Sequence, residues 1–185
     1  PAMVSVAEFQ GQGGVDEYHL IVRPTAYADV ATQLAWVAGA YRRALTALGL
    51  AGNSALLRRV FCSDLTNQAA VLPAPAFADA SDPAEDCAES WVCQPPLPPA
   101  KIALWAYHMR VPEGRLNKRR NGASLWCDRG ELSHIWTTGL TCPRAGNAAE
   151  QTRGIFESYE ASLRAHGLNM TDHVLRTWFF VRNID

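Results

Sequence analysis

Apolar positions that recur three or four residues apart predict an amphipathic helix over residues 28–48. Its apolar face carries Leu34, Val37, Tyr41, Leu45 and Leu48. Gly49 follows at the position of a left-handed C-terminal cap, so the helix is expected to end there. Gly167 ends a second predicted helix, over residues 148–166, in the same way.

Runs rich in β-branched, aromatic and aliphatic residues predict strands. The predicted strands are 17–23, 55–63, 102–111, 123–127, 134–141 and 173–181. The near-continuous apolar character of 55–63 and 173–181 indicates largely buried strands. A turn at residues 128–130 predicts that 123–127 and 134–141 form a hairpin.

The chain also matches itself at a shift of 118 residues without a gap, with nine identities over residues 33 to 65. The identical residues of the first copy are Gln33, Tyr41, Leu45, Ala47, Gly49, Leu50, Leu57, Arg58 and Phe61. The repeat predicts two tandem β-β-α-β units: a first unit at 1–112, a linker at 113–122, and an incomplete second unit at 123–185. Either the chain is a fragment of a longer protein, which we favour, or the missing strand comes from elsewhere, because a buried strand without a neighbour leaves unpaired backbone groups.

Two segments outside the repeat lack apolar periodicity. Residues 66–100 are polar and proline-rich, with acidic residues crowded into 79–89, which is typical of a functional or loosely ordered segment. The linker carries Arg115, Lys118, Arg119 and Arg120 and is interpreted as a solvated connector. A nucleic-acid patch is the less favoured alternative, since no aromatic residues interleave with these charges.

Composition narrows the classes of partner. Seventeen basic and eighteen acidic residues give a net charge of −1, which favours neither nucleic acid nor an anionic membrane as a partner. No apolar run reaches the roughly 18 residues that a membrane span needs. Five cysteines without a CxxC pair suit a reducing compartment, and five scattered histidines provide no metal-ligand spacing. We therefore expect a cytoplasmic protein without a metal or other cofactor.

Three blocks resemble the Rid superfamily, the reactive intermediate deaminases also called YjgF-like or endoribonuclease L-PSP proteins. Residues 133–140 are similar to the family's second strand, which ends in a Ser/Thr-Gly turn. Residues 159–185 are similar to its helix, glycine cap and following strand, and residues 98–104 to its PAR segment. The resemblance implies an α/β fold, an α+β mixed sheet with helices on one face, assembled into homo-oligomers, trimers or pseudo-trimers.

The resemblance also implies a site for a small-molecule substrate. In the family an arginine of the PAR segment binds the substrate carboxylate, and groups near the Ser/Thr-Gly turn position water for imine hydrolysis. The corresponding residues are Lys101, which lacks the planar fork of arginine, and Thr138 with Gly139. Thr138 could equally be a strand-end residue chosen for β propensity, and Lys101 a plain surface lysine.

Two further residues invite a functional role. Arg176 occupies the same place in the repeat as Arg58 and is a candidate substrate-binding residue. The alternative for both arginines is architectural, with the stem laid along the sheet and the head paired to a carboxylate. Cys142 is a candidate nucleophile, but without a histidine at a defined spacing a small buried thiol is the preferred interpretation.

The leading functional hypothesis is a tandem Rid-type hydrolase that deaminates small imine or enamine intermediates. One alternative is a non-catalytic metabolite-binding or assembly half of a longer protein. Another is a chorismatase-like enzyme, because residues 176–179 are similar to the strand motif of that branch.

Overall fold

The computed structural model describes residues 1–72, 77, 86–112, 116–143 and 146–181. It divides the chain into two compact units, Pro1–Gly139 and Leu140–Asp185. The chain combines a mixed β-sheet with helices, which agrees with the predicted α/β class. The tandem arrangement, with units at 1–112 and 123–185, stays a prediction.

A five-stranded sheet forms the centre of the first unit. Its strands are β1 (Ala2–Gln10), β2 (Asp16–Pro24), β3 (Ala55–Cys62), β4 (Ala88–Cys93) and β5 (Ile102–Arg110). They lie in the order β1-β2-β5-β3-β4, antiparallel except for the parallel pair β3 and β4. The predicted strands 17–23, 55–63 and 102–111 are thus confirmed, and the last strand in sequence lies in the middle of the sheet.

Helix α1 (Val30–Leu48) covers one face of this sheet. Asp29 caps its first turn by accepting a hydrogen bond from the Thr32 amide, and Gly49 ends it with φ 63°. The helix buries Leu34, Val37 and Tyr41 in a cluster shared with the even-numbered residues 102, 104 and 106 of β5. The predicted helix at 28–48 is therefore confirmed, including its glycine cap.

A three-stranded antiparallel sheet packs on the opposite face, against odd-numbered β5 residues such as Tyr107. It comprises β6 (Asn117–Asn121), β7 (Ser124–Arg129) and β8 (Leu132–Thr137), in that order. Leu125 and Cys127 of β7 join this second apolar cluster. The predicted hairpin is confirmed, although its second strand ends at Thr137 rather than at residue 141.

Residues 113–122, predicted to be a solvated linker, contain strand β6 in the structure. Residues 113–115, including Arg115, lie outside the described residues. Lys118 Nζ donates to the carbonyls of Ala55 and Asp86, and Arg120 forms an ion pair with Asp86. These cationic side chains tie the small sheet to the segment that leads into β4, so they are not simply solvated.

The proline-rich stretch at 66–100 is more regular than its sequence indicates. The short helix α2 (Leu65–Gln68) opens it, and strand β4 pairs with β3 near its end. Residues 73–76 and 78–85, which include much of the acidic crowd at 79–89, lie outside the described residues. Edge strands such as β4 need only one partner, so a short strand can form without strong apolar periodicity.

The second unit holds helix α3 (Ala148–Arg164), which confirms the second predicted helix with an end two residues earlier. Asn147, its N-cap, lies 118 residues after Asp29. The Leu168 amide donates to the Leu163 carbonyl at 2.9 Å, as Leu50 donates to Leu45 at 2.9 Å in the first copy. Both helices of the repeat therefore share their start position and a hydrogen bond of the same span at their end.

The predicted buried strand at 173–181 is wrong in the structure. Residues 170–173 form the short helix α4 (Met170–His173), and residues 174–181 belong to neither a helix nor a strand. Leu175 is fully exposed and Phe180 is 47% exposed. In the first copy the equivalent β3 is buried because β5 and β4 flank it, whereas in the described part of the chain β6, β7 and β8 form a separate sheet of their own.

This difference predicts unequal hydrogen exchange in the two copies. The amides of residues 175–181 should exchange rapidly, because this exposed segment belongs to no strand of the described part of the chain, whereas the amides of β3 pair with β5 and should be strongly protected. Hydrogen–deuterium exchange followed by mass spectrometry of peptides covering the two segments measures this. Equal protection would show that 174–181 is paired in solution.

Candidate functional site

Lys101 lies immediately before β5, where its backbone is held in place. Its N–H donates to Gln33 Oε1 at 2.7 Å, and its carbonyl accepts from the Ser63 amide at 2.9 Å. Gln33 is fully buried and also donates to the carbonyls of Ala26 and Pro99. One glutamine of α1 therefore fixes the segment that resembles the PAR motif.

The positive charge of Lys101 acts on Asp29, the N-cap residue of α1. The pKa of the Asp29 carboxyl is lowered, mainly by hydrogen bonds from Thr32 and in smaller part by the Lys101 charge. Among the described residues, no hydrogen bond or ion pair links Lys101 to Thr138. The structure thus gives these two predicted site residues no direct contact.

Thr138 and Gly139 follow the end of β8. The Thr138 amide donates to the Ala123 carbonyl at 3.2 Å, and the residue is half-buried. Gly139 is exposed with φ 71°, a conformation that favours glycine. Thr138 and Gly139 thus lie just beyond the last residue of β8, and their role as a Ser/Thr-Gly turn stays a prediction.

Arg176 and Arg58 differ in their surroundings although the repeat aligns them. Arg176 lies in the second unit, where it is exposed, with its guanidinium carbon 5.6 Å from the Trp178 ring centroid. Arg58 is 1% exposed and belongs to a buried polar chain in the first unit. Cys142, in the second unit, is partly buried against Gly154.

The buried polar chain runs from β3 through α1 to β5. Arg58 Nε donates to Tyr41 Oη at 3.1 Å, and Tyr41 Oη lies 2.8 Å from His108 Nε2. On the other side of the ring, His108 Nδ1 lies 2.8 Å from Ser54 Oγ, which itself donates to the Ala51 carbonyl at 2.6 Å. Since Ser54 has a single hydroxyl proton, His108 must donate from Nδ1 and accept from Tyr41 at Nε2.

Burial sets the protonation of this chain. It lowers the pKa of His108 to about 3, helped by the positive charges of Arg58 and Lys118, so the imidazole is neutral. Burial also raises the pKa of Tyr41 to about 12, so the phenol keeps its proton. Every member is therefore locked in one protonation state at neutral pH, which fits an architectural role better than proton transfer.

The partly open face of the five-stranded sheet carries the more promising site. Four rings, which we call the aromatic row, follow one another there: Trp136, Tyr107, His19 and Trp105. The ring centroids of Trp136 and Tyr107 are 5.2 Å apart, and those of Tyr107 and His19 are 4.8 Å apart. Trp105 stacks on His19 at 5.9 Å, so the row joins β8 of the small sheet to β2 and β5.

A cation ends the aromatic row. Arg59 of β3 pairs directly with Trp105 of β5, and its guanidinium carbon lies 5.3 Å from the Trp105 ring centroid. The side chain is 5% exposed, and burial lowers the pKa of its guanidinium. A positive charge with little water around it attracts an anion more strongly than a solvated one.

The aromatic row also presents hydrogen-bond donors. Trp105 Nε1 donates to His19 Nδ1 at 3.2 Å, and burial lowers the pKa of His19, so its proton sits on Nε2. Trp136 Nε1 is buried without a hydrogen-bond partner among the described residues. Burial, helped by the nearby Glu17 carboxylate, raises the pKa of Tyr107, so its hydroxyl keeps its proton at neutral pH.

Of the residues at or near the aromatic row, the sequence predicts only Thr138 as a site residue. Thr138 lies two residues beyond Trp136 on the same chain segment, whereas His19, Trp105 and Arg59 were not predicted. Their signal is their position at alternate residues of strands 17–23, 102–111 and 55–63. That these residues lie side by side can be predicted only when β5 is known to lie between β2 and β3.

Comparisons with known proteins give limited help. No protein-family model matches the chain, and no curated protein matches it. A crystal structure of a "putative translation initiation inhibitor" from Salmonella typhimurium aligns with a TM-score of 0.42 at 17% identity, over 56% of this chain and 96% of that one. A similarity of that size carries no argument about fold or function, so the Rid resemblance rests on the quoted sequence blocks.

Two kinds of feature are absent from the described residues. They contain no helix that is both long enough and apolar enough to cross a bilayer. They also contain no group of three or more His, Cys, Asp or Glu side chains placed to hold a metal ion. The prediction that the protein works without a cofactor remains untested.

Proposed function

We propose that this chain is a tandem Rid-type protein that hydrolyses small imine or enamine carboxylates to a carbonyl compound and ammonia. The observation that carries the proposal is the aromatic row, which ends on the desolvated Arg59 and begins two residues from Thr138. The resemblance of residues 133–140 to the family's second strand supports it from the sequence.

Each part of the surface suits one part of such a substrate. The Arg59 guanidinium would attract the carboxylate, and the ring faces of Trp105 and His19 would stack against a flat conjugated C=C–N or C=N group. His19 Nε2 and Trp136 Nε1 are donors that could bind the substrate's polar edge. A flat, anionic, small substrate is therefore the chemical class that the surface fits.

Hydrolysis itself needs little more than a positioned water. Water adds to the imine carbon, the C–N bond of the resulting carbinolamine breaks, and ammonia leaves as the carbonyl forms. We assign Thr138 and the Gly139 turn to holding that water, as the resemblance implies. Lys101 and Arg176 would contribute positive charge only if the complete assembly brings them to the same cleft.

The tandem organisation is part of the proposal. It is supported by the coincidence of Asp29 with Asn147 as N-caps, and by equal hydrogen bonds at Leu50 and Leu168. In this arrangement the units at 1–112 and 123–185 would build a homo-oligomer or pseudo-trimer with clefts between units. The site would then use residues of both copies.

Ammonia release from freshly generated 2-aminoacrylate tests the proposal. The wild-type chain should accelerate release over the uncatalysed reaction. Thr138→Ala and Arg59→Met should each lower kcat/KM by about tenfold or more, since each removes a group that acts on the substrate or its water. Arg42→Met on the exposed surface of α1 is the matched control and should change nothing.

Circular dichroism of each variant separates lost activity from lost folding. If the wild-type chain does not accelerate ammonia release, or if Arg59→Met and Arg42→Met are equally active, the deaminase proposal is wrong. Alanine, the stable saturated counterpart of 2-iminopropionate, is not an informative ligand for this test. It lacks the flat conjugated group that the aromatic row would bind.

A second candidate function, an assembly or metabolite-binding half without catalysis, is favoured by one observation. Trp178, Phe179 and Phe180 are 37%, 44% and 47% exposed, and their segment, residues 174–181, is in no strand of the described structure. Such a segment is suited to pairing with another strand. Self-association that persists in a chain without deaminase activity would support this candidate, and a monomeric chain would argue against it. A chorismatase-like activity has only the resemblance at residues 176–179 in its favour.

A further inference from the structure

Two cysteines lie side by side at the ends of neighbouring strands. Cys62 is the last residue of β3 and Cys93 the last residue of β4, and the parallel register pairs them directly. Adjacent strands lie about 4.7–4.9 Å apart, within the Cα separation of about 4.4–6.8 Å that disulfides span. The backbone positions therefore suit a cross-strand disulfide.

The side chains of this pair also share a face. Cys62 belongs to the apolar cluster beneath α1, and Trp91, two residues before Cys93, packs against the same cluster. Because side chains alternate along a strand, Cys93 points to the same side of the sheet as Trp91. The electrostatic influence of Cys93 on Cys62 is consistent with two neighbouring sulfur atoms.

We propose that Cys62 and Cys93 form a disulfide when the protein meets a hydroperoxide. Cys93 is exposed and reacts first: its thiolate attacks the terminal peroxide oxygen, the O–O bond breaks, and a sulfenic acid forms as the alcohol leaves, or water when the oxidant is hydrogen peroxide. The Cys62 sulfur then attacks the Cys93 sulfur, the S–O bond breaks, and water leaves. The peroxide is reduced, and the two thiols together lose two hydrogens.

The surroundings of Cys62 allow this step at a modest cost. Its thiol donates to Gln68 Oε1 at 3.1 Å, a weak bond from the short helix α2. Turning Cys62 towards Cys93 gives up that bond. The disulfide would close the loop of residues 62–93 and join the edge strand β4 covalently to β3.

Peptide mapping of the full chain tests this site. Trypsin leaves Cys62, Cys87 and Cys93 in one peptide, residues 60–101, so a second digestion after Asp and Glu is needed to separate the three thiols. After treatment with hydrogen peroxide, the non-reduced digest should contain the Cys62 and Cys93 peptides joined, with a mass lower by two hydrogens. Two of the five thiols should lose reactivity, and dithiothreitol should restore both.

Two variants complete the experiment. Cys93→Ser, an exposed strand-end change, should abolish the cross-link, and Cys142→Ser in the second unit should leave it intact. A linkage of Cys87 to either partner would overturn the proposal. So would oxidation of Cys93 to sulfinic acid without any cross-linked peptide.

Discussion

Between about pH 6.5 and about pH 3, we expect the free energy of unfolding of the first unit to fall by roughly 1.4 kcal/mol per pH unit because of His108 alone. Burial lowers its pKa from 6.5 to about 3 in the folded protein. In this window the unfolded chain binds a proton on His108 and the folded chain does not. The stabilisation is therefore complete above pH 6.5 and is lost as the pH falls, about 5 kcal/mol in all.

The surroundings of His108 explain why the folded state does not bind this proton. Nε2 accepts from the Tyr41 hydroxyl, so protonation would set two donors against each other in a site that is fully buried. The charges of Arg58 and Lys118 oppose a third positive charge nearby. The carboxylates of Asp86 and Glu89 act on Arg58, Cys87 and Lys118, whereas the charges that act on His108 itself are both positive.

Urea unfolding at a series of pH values measures this dependence. His108→Gln keeps a neutral hydrogen-bonding side chain and should lose most of the slope between pH 3 and pH 6.5. The exposed His166→Gln should keep the wild-type slope. Identical slopes for wild type and His108→Gln would show that His108 is not the titrating group.

Tyr41→Phe is expected to lower the free energy of unfolding by about 2 to 4 kcal/mol at neutral pH. The change removes one oxygen but affects two buried groups: Arg58 Nε loses its acceptor and His108 Nε2 loses its donor. The ring remains, so the apolar packing of α1 and the contact of Arg58 with the ring are kept. The loss therefore reports on the polar chain.

Tyr18→Phe is the matched control within the same unit. Its ring is almost equally buried, but its hydroxyl makes one bond of 3.2 Å, to the exposed Glu8 of the edge strand β1. We expect a loss of about 1 kcal/mol, measured by the same denaturant titration. If Tyr41→Phe costs no more than Tyr18→Phe, the buried chain contributes no special stability.

The two long helices are predicted correctly because their signal is local. The spacing of Leu34, Val37 and Tyr41 and the glycine at 49 are sufficient to define α1, because a helix satisfies its own backbone. Strands depend on neighbours instead. Residues 174–181 have the composition of β3 but lack the flanking strands that bury it.

The sequence does not predict strand β6, because β6 has a strand partner but lacks the apolar pattern of a strand. Its five residues are all polar, so no apolar alternation marks it, yet its backbone pairs with β7 and Lys118 bonds to two carbonyls. The candidate site shows the same limit. Thr138 could be predicted from a sequence motif. Arg59 and Trp105 are in contact only because β3 and β5, which are distant in sequence, are neighbours in the sheet.

The position of β5 also has a consequence for how the first unit folds. In the described sheet, backbone hydrogen bonds join the hairpin of β1 and β2 to the pair of β3 and β4 only through β5, the last of the five strands to be synthesised. Until residues 102–110 are available, the sheet exists as two halves with open edges, and joining them closes loops of many tens of residues. Folding should therefore be slow for a chain of this size, with its rate set by the insertion of β5 rather than by the rapid formation of α1.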